Sequence, residues 1–209
     1  MPKPTKPPKP PTTAPSDIEN GLIANGHFPI AGVDEVGRGP LAGPVVACAL
    51  ILPQGVVIEG VNDSKKVSEK KRERLAVLIK EAAICYAYGI VSPSEIDRLN
   101  ILQATLAAMA MAIDGLETTP KFALVDGTTP PKCACKVICV PQGDAASHLI
   151  AAASILAKVK RDTMMKELHS LHPQYSWDAN KGYGTAAHRE AIKSFGLCSE
   201  HRRTFCERF

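Results

Sequence analysis

The sequence predicts an α/β fold, a mixed five-stranded sheet flanked by helices with a helical C-terminal extension. Three observations carry this. Five apolar runs of strand length recur along the chain, and stretches of helical period lie between and after them. The first two runs are joined by Gly37 to Pro44, a link with three glycines and two prolines in eight residues, which predicts an antiparallel pair with an irregular connection. With 209 residues, 45% of them hydrophobic, the chain can bury one core of ordinary size and does not suggest two domains.

Residues 1–16 hold seven of the seventeen prolines, spaced by Lys and Thr, and are predicted to be an extended, disordered tail that builds no core. Residues 17–209 then form a single domain. Ile30 to Glu35 and Val45 to Leu52 are the first two strands, the second closed by Pro53. Val61 to Lys66 is a polar loop, and Ser68 caps a helix running to about Ala83. Ile84 to Val91 returns as a third strand, and one helical pattern covers Pro93 to Leu116 with Ile101, Leu102, Thr105, Leu106, Met109 and Ile113 on its apolar face. Lys121 to Asp126 and Lys136 to Val140 are strands four and five. A long helix from Ala145 to about His169 follows, whose Ala151-Ala152-Ala153-Ser154 stretch lets another backbone pack close, and a last helix spans about Thr185 to Phe195.

The formal charge is +4, but Lys3, Lys6 and Lys9 supply three of those units, so the body is nearly neutral and any polyanion-binding surface must arise from local clustering. The seven cysteines are an odd number, and Cys133, Cys135 and Cys139 do not match the usual zinc spacings, which predicts free thiols in a reducing cytoplasm. No apolar leader core is present near the N-terminus, and the Ala- and Met-rich stretch around Ala107 to Ile113 is too short to span a bilayer, so no membrane partner is expected.

The chemistry is concentrated at the ends of strands. Asp34 and Glu35 close the first strand and run into Gly37-Arg38-Gly39, Asp126 closes the fourth, and Asp144 follows the fifth. Four carboxylates at strand ends suggest a two-metal phosphodiesterase centre, since magnesium takes hard oxygen ligands. The grouping requires the bearing strands to be neighbours, and because adjacent strand residues point to opposite faces, Asp34 and Glu35 share a site only if the strand twists or ends there. Singly, each acid has a plainer reading as a turn or cap residue, Asp144 as the cap of the helix after it. His148, one helical turn beyond Asp144, is read as a packing or surface residue rather than a general acid.

Together these residues closely resemble ribonuclease HII, the type 2 ribonuclease H. The resemblance runs in family order through Asp34 to Val46, Asn62-Asp63-Ser64-Lys65-Lys66, Asn100 to Thr105, Gly143-Asp144, Ile150 to Val159, Asn180 to Thr185 and His201 to Phe205. It implies an RNase H-like fold and metal-dependent cleavage of the RNA strand of RNA–DNA hybrids. It also implies incision 5′ of a single ribonucleotide in duplex DNA, leaving 3′-hydroxyl and 5′-phosphate ends. By the same resemblance Asp34, Glu35, Asp126 and Asp144 hold two Mg2+ or Mn2+ ions, with Asp34 bridging. Gly37, Arg38 and Gly39 would read the ribose 2′-hydroxyl through their backbone, and Tyr183 would stack on the next sugar. Asn62, Ser64, Lys65 and Lys66 look like the phosphate-contacting loop, with Arg202 and Arg203 adding backbone contacts. Gln142 departs from the lysine that many relatives carry, which bears on one phosphate contact and not on the metal site. A type 3 ribonuclease H and a non-catalytic hybrid-binding protein are the alternatives, and a nucleotide-binding module fits less well, because the glycine-rich turn lacks either phosphate-loop spacing. The partners expected are RNA–DNA hybrids and ribonucleotide-containing duplexes, with a monomeric enzyme and no sliding-clamp motif.

Overall fold

The computed structural model describes residues 13–65 and 67–207. Helix α1 (Asp17–Ala24) leads into strands β1 (Ile30–Val36) and β2 (Val45–Ile51), then helix α2 (Glu69–Ala82), strand β3 (Cys85–Val91), helices α3 (Pro93–Leu99) and α4 (Ile101–Asp114), and strands β4 (Phe122–Asp126) and β5 (Lys136–Val140). Helices α5 (Gly143–Ala146), α6 (His148–Leu171), α7 (Trp177–Asn180), α8 (Ala186–Phe195) and α9 (Arg203–Cys206) complete the chain. The sheet order is β3-β2-β1-β4-β5, with β1 antiparallel to β2 and parallel to β4.

This mixed sheet meets the expectation, and its five strands fall where the apolar runs lie. One face packs on α6 and α2 through Cys48, Leu50, Leu124, Ala151 and Ile155, the other on α4 through Ala47, Ala49, Val125, Ala108 and Ala112. Strands buried on both faces read as continuous apolar runs, as β2 does. The close approach of β1 to α6 is made by Gly32, where a Cβ would lie 2.3 Å from the Leu149 carbonyl carbon.

Three boundaries differ from the sequence expectation, each for a local reason. The helical pattern from Pro93 is broken at Asn100, which takes a φ of 69° and caps α4 by accepting from the Gln103 amide at 3.1 Å. The long helix is broken at Ser147, extended at φ −137°, whose hydroxyl accepts from the Ile150 amide. Asp144 therefore sits inside the short α5, and Ser147 caps α6. The tail boundary also shifts. The Ala14 amide donates to the Val61 carbonyl at 2.8 Å, and Thr13 Oγ1 accepts from the Gly60 amide, so the segment assigned to a coreless tail is docked by Thr13. The rest of that segment, residues 1–12, lies outside the described residues.

Helix α1 is absent from the predicted elements, because eight residues interrupted by Gly21 show no clear period. It carries a buried acid, Glu19, whose Oε1 accepts from Ser147 Oγ at 2.7 Å and from the Leu149 amide at 2.9 Å. The break before α6 is thus held from outside the helix. Replacing Glu19 by Ala leaves two buried donors without an acceptor, at about 1–3 kcal/mol each. Urea denaturation of Glu19→Ala should show this loss and that of Glu19→Gln a smaller one, whereas equal, near-zero effects would remove Glu19 from this role.

Candidate active site

The parallel pairing of β1 with β4 sets Val33 opposite Val125, so the next residues along, Asp34 and Asp126, emerge near one end of the sheet. Carboxylate oxygens of Asp34, Glu35 and Asp126 all lie within 4.8 Å of one another. The alternation of strand side chains is overcome locally, since Asp34 Oδ1 turns back to accept from the Glu35 amide at 2.7 Å. Asp126 Oδ1 accepts from the Gly143 amide at 2.6 Å, which ties β4 to the start of α5 and brings Asp144 to the same cleft. That cleft, of about 390 Å³, is lined by Glu35, Arg38, Lys65, Asp126, Gln142 and Asp144.

Electrostatically the cluster is unfavourable on its own. Burial pushes the Asp34 carboxyl well above its ordinary range, and the charges of Glu35 and Asp126 push it further, while hydrogen bonds from Ser154 and the Glu35 amide pull the other way. Burial likewise raises Glu35, against the pull of Arg38 3.5 Å away. Asp144 is raised by burial and by Asp63, with Lys65 opposing at 3.7 Å. Burial alone would lower Lys65, but Asp144, Asp63, Asp34 and Asp126 outweigh it and hold the ammonium charged. Glu35 Oε2 is buried with no hydrogen-bond partner. An orphaned carboxylate oxygen among crowded acids is the donor set that a hard divalent cation fits.

Of the recognition residues predicted from the sequence, Arg38 and Lys65 line the cleft, while Tyr183 approaches Gly39. A Cβ built on Gly39 would lie 3.8 Å from the Tyr183 ring, which is 44% exposed. The turn carrying that ring is secured by main-chain contacts: the Leu41 amide donates to Gly182, and His188 Nδ1 donates to the Tyr183 carbonyl at 2.9 Å. His188 Nε2 in turn accepts from Trp177 Nε1, and His201 lies 3.2 Å away, its pKa brought down to about 4, first by burial and then by His188. Asn62 Oδ1 accepts from the Asp63 amide. Ser64 is buried with its Oγ 3.0 Å from Ser154 Oγ, so its hydroxyl is turned into the body, while Lys65 faces solvent at the cleft. Lys66 lies outside the described residues.

Two expectations are corrected. Arg202, read as a nucleic-acid contact, is wholly buried beneath the Gly37–Pro44 loop, and only Arg203 of that pair is exposed. Ser154, read only as a small packing residue, joins the loop of Ser64 to the acid cluster. Its signal in the sequence was a lone hydroxyl among alanines facing the strand that bears Asp34. His148 is buried and accepts from the Ile58 amide through Nε2, with burial lowering its pKa, in keeping with a packing role. Cys133 and Cys135 approach to 3.7 Å, and all seven cysteines are free. No single helix among the described residues is long and apolar enough to cross a membrane.

A protein-family model described as Ribonuclease HII matches residues 31–209. The chain belongs to the ribonuclease HII family. A relative named Ribonuclease HII from Chlamydia abortus is 53% identical over 190 residues, covering 90% of this chain and 89% of that one. The crystal structure of the ribonuclease H2 from Pyrococcus horikoshii OT3 superposes with a TM-score of 0.70 at 27% identity, over 86% of this chain and 95% of that chain. The structure of the PCNA:RNase HII complex from Archaeoglobus fulgidus matches with a TM-score of 0.69 at 28% identity, over 84% and 94%. This family member is a type 2 ribonuclease H, an endonuclease acting on RNA–DNA hybrids, and the type 3 and non-catalytic alternatives fall away.

Proposed function

We propose that this enzyme, beyond cutting the RNA strand of hybrids, incises duplex DNA on the 5′ side of a single embedded ribonucleotide and leaves 3′-hydroxyl and 5′-phosphate ends. The observation that carries this reading is the approach of the Tyr183 ring to Gly39, whose neighbour in the chain, Arg38, lines the acid-bearing cleft. A flat ring beside a backbone with no side chain offers a sugar one stacking face and one polar edge, which suits a junction between ribose and deoxyribose.

In this reading Asp34, Glu35, Asp126 and Asp144 hold two divalent ions, magnesium or manganese. Bound there, the ions supply an activated water and charge stabilisation of the leaving 3′ oxygen. The chain's own part is placement. Asp34 is the most buried of the four acids and groups with Glu35 and Asp126, which supports reading it as the bridging ligand. Lys65, held beside Asp144, offers a phosphate a counter-charge at the mouth of the cleft, and Asn62 supports its loop. Gln142, exposed beside the cleft with a φ of 55°, supplies an amide where a cation would add attraction.

The direct test is a duplex carrying one ribonucleotide, incubated with magnesium and resolved against size markers. A single nick 5′ of the ribonucleotide is expected. Cleavage only in stretches of continuous RNA, or a nick on the 3′ side, would refute the proposal.

A further inference from the structure

Two arginines lie beneath the recognition loop with no exposure to solvent, and neither forms an ion pair with a carboxylate among the described residues. Burying a guanidinium is costly unless its donors are satisfied. Here main-chain carbonyls satisfy them. Arg202 donates from Nη2 to Gly37 O at 2.6 Å, from Nη1 to Arg38 O at 3.0 Å, and from Nε and Nη2 to Gly43 O at 3.0 and 2.8 Å. Arg161 donates from Nε to Pro44 O at 2.9 Å, from Nη2 to Ala42 O at 3.1 Å, and from Nη1 to Lys181 O at 3.0 Å. The loop beside β1 and the turn before Tyr183 are thus pinned to one pair of buried cations. Gly37, at a φ of 94°, leaves the room this needs, since a Cβ there would come 2.2 Å from Arg161 Nε.

The consequence lies in the peptide plane. In a trans peptide the C=O of one residue and the N–H of the next point in opposite directions. With the carbonyls of Gly37 and Arg38 drawn inward by Arg202, the amides of Arg38 and Gly39 must point outward, beside the Tyr183 ring. Both residues are exposed, and neither amide donates to a protein acceptor among the described residues. We propose that Arg202, supported by Arg161, is a positioning residue for ribonucleotide recognition: it touches no substrate, but fixes the direction of two main-chain donors that read an oxygen acceptor at the ribose. The inference rests on the embedded-ribonucleotide activity proposed above, and it assigns to buried side chains a discrimination otherwise credited to the glycines alone.

Lysine at position 202 keeps a cation but cannot span Gly37, Arg38 and Gly43 together. Single-turnover rates for Arg202→Lys and wild type are compared on a one-ribonucleotide duplex and on a continuous hybrid, with Mn2+ titration and a melting curve alongside. The expected result is a loss at least about tenfold larger on the single ribonucleotide, with Mn2+ affinity unchanged. An equal loss on both substrates would overturn the role. If wild type itself fails to nick the single-ribonucleotide duplex, the underlying activity is wrong, a distinct outcome. A second measurement does not depend on the variant folding. NMR-detected hydrogen exchange of the wild-type Arg38 and Gly39 amides should be fast in the free enzyme, then slow with the ribonucleotide-containing duplex and not with the all-DNA duplex. Protection in the free enzyme, or none in the complex, would refute the assignment.

Discussion

Asp34→Asn should abolish useful cleavage and yet make the metal-free protein more stable. Metal-ion chemistry supplies several kcal/mol of transition-state stabilisation. At about 1.4 kcal/mol per decade, loss of the central ligand should cost at least about a hundredfold in rate. The stability gain follows from the sign of the pKa shift. Burial, with Glu35 and Asp126 adding to it, raises the folded-state pKa of Asp34 above its unfolded value. The native state therefore binds the proton more tightly than the unfolded chain, and the metal-free protein loses stability as pH climbs from the unfolded value through the folded one. Below that window the penalty is absent. Asparagine removes it at every pH. Melting curves in EDTA from pH 4 to 8 should show wild type falling relative to Asp34→Asn as the pH rises, by about 2–4 °C for each kcal/mol in a chain of this length. Addition of Mn2+ should reverse the order, because the ion binds the folded wild type and not the variant. A variant that melts lower than wild type in EDTA at pH 8, or one that cleaves at near-normal rate, would contradict the assignment of Asp34 as a buried metal ligand.

Tyr183→Ala should separate the two substrate classes. Stacking on a flat ring contributes about 1–3 kcal/mol, roughly a ten- to hundredfold effect on rate. On a continuous hybrid, contacts along the strand still place the scissile phosphate, so the loss should be smaller there than on one embedded ribonucleotide. Tyr183→Phe keeps the ring and should stay near wild type. The fold should survive both changes, because the turn is held by main-chain contacts, Thr185 and His188 donating to the Tyr183 carbonyl and Leu41 donating to Gly182. The phenol is no part of that scaffold. Initial rates on both substrates, with a melting curve for each variant, decide the matter. If Tyr183→Ala remains folded and slows both substrates equally, Tyr183 is not the junction reader.

Much of the site was legible in the residues. Asp34 and Asp126 each end an apolar run that reads as a strand; a lone carboxylate there reads as a turn or cap residue, and the resemblance to ribonuclease HII marked the set as metal ligands. Glycines flanking Arg38 and Tyr183 announced main chain meant to approach something closely. What stayed hidden is long-range. No local pattern distinguishes Arg202, wholly buried with its donors on the carbonyls of Gly37, Arg38 and Gly43, from its exposed neighbour Arg203. Nor does any pattern show that Glu19 accepts from Ser147 across 128 positions of chain.

The sequence by itself determined the sheet and its flanking helices and set Asp34 and Asp126 at the ends of apolar runs, because hydrophobic periodicity and turn chemistry act over a few residues and need no partner. Only the tertiary structure decided which acids share a cleft, which cations face solvent, and where Asn100 and Ser147 break their helices. Those outcomes depend on parallel pairing of β1 with β4 and on hydrogen bonds between segments far apart in the chain, which exist only once the core has closed.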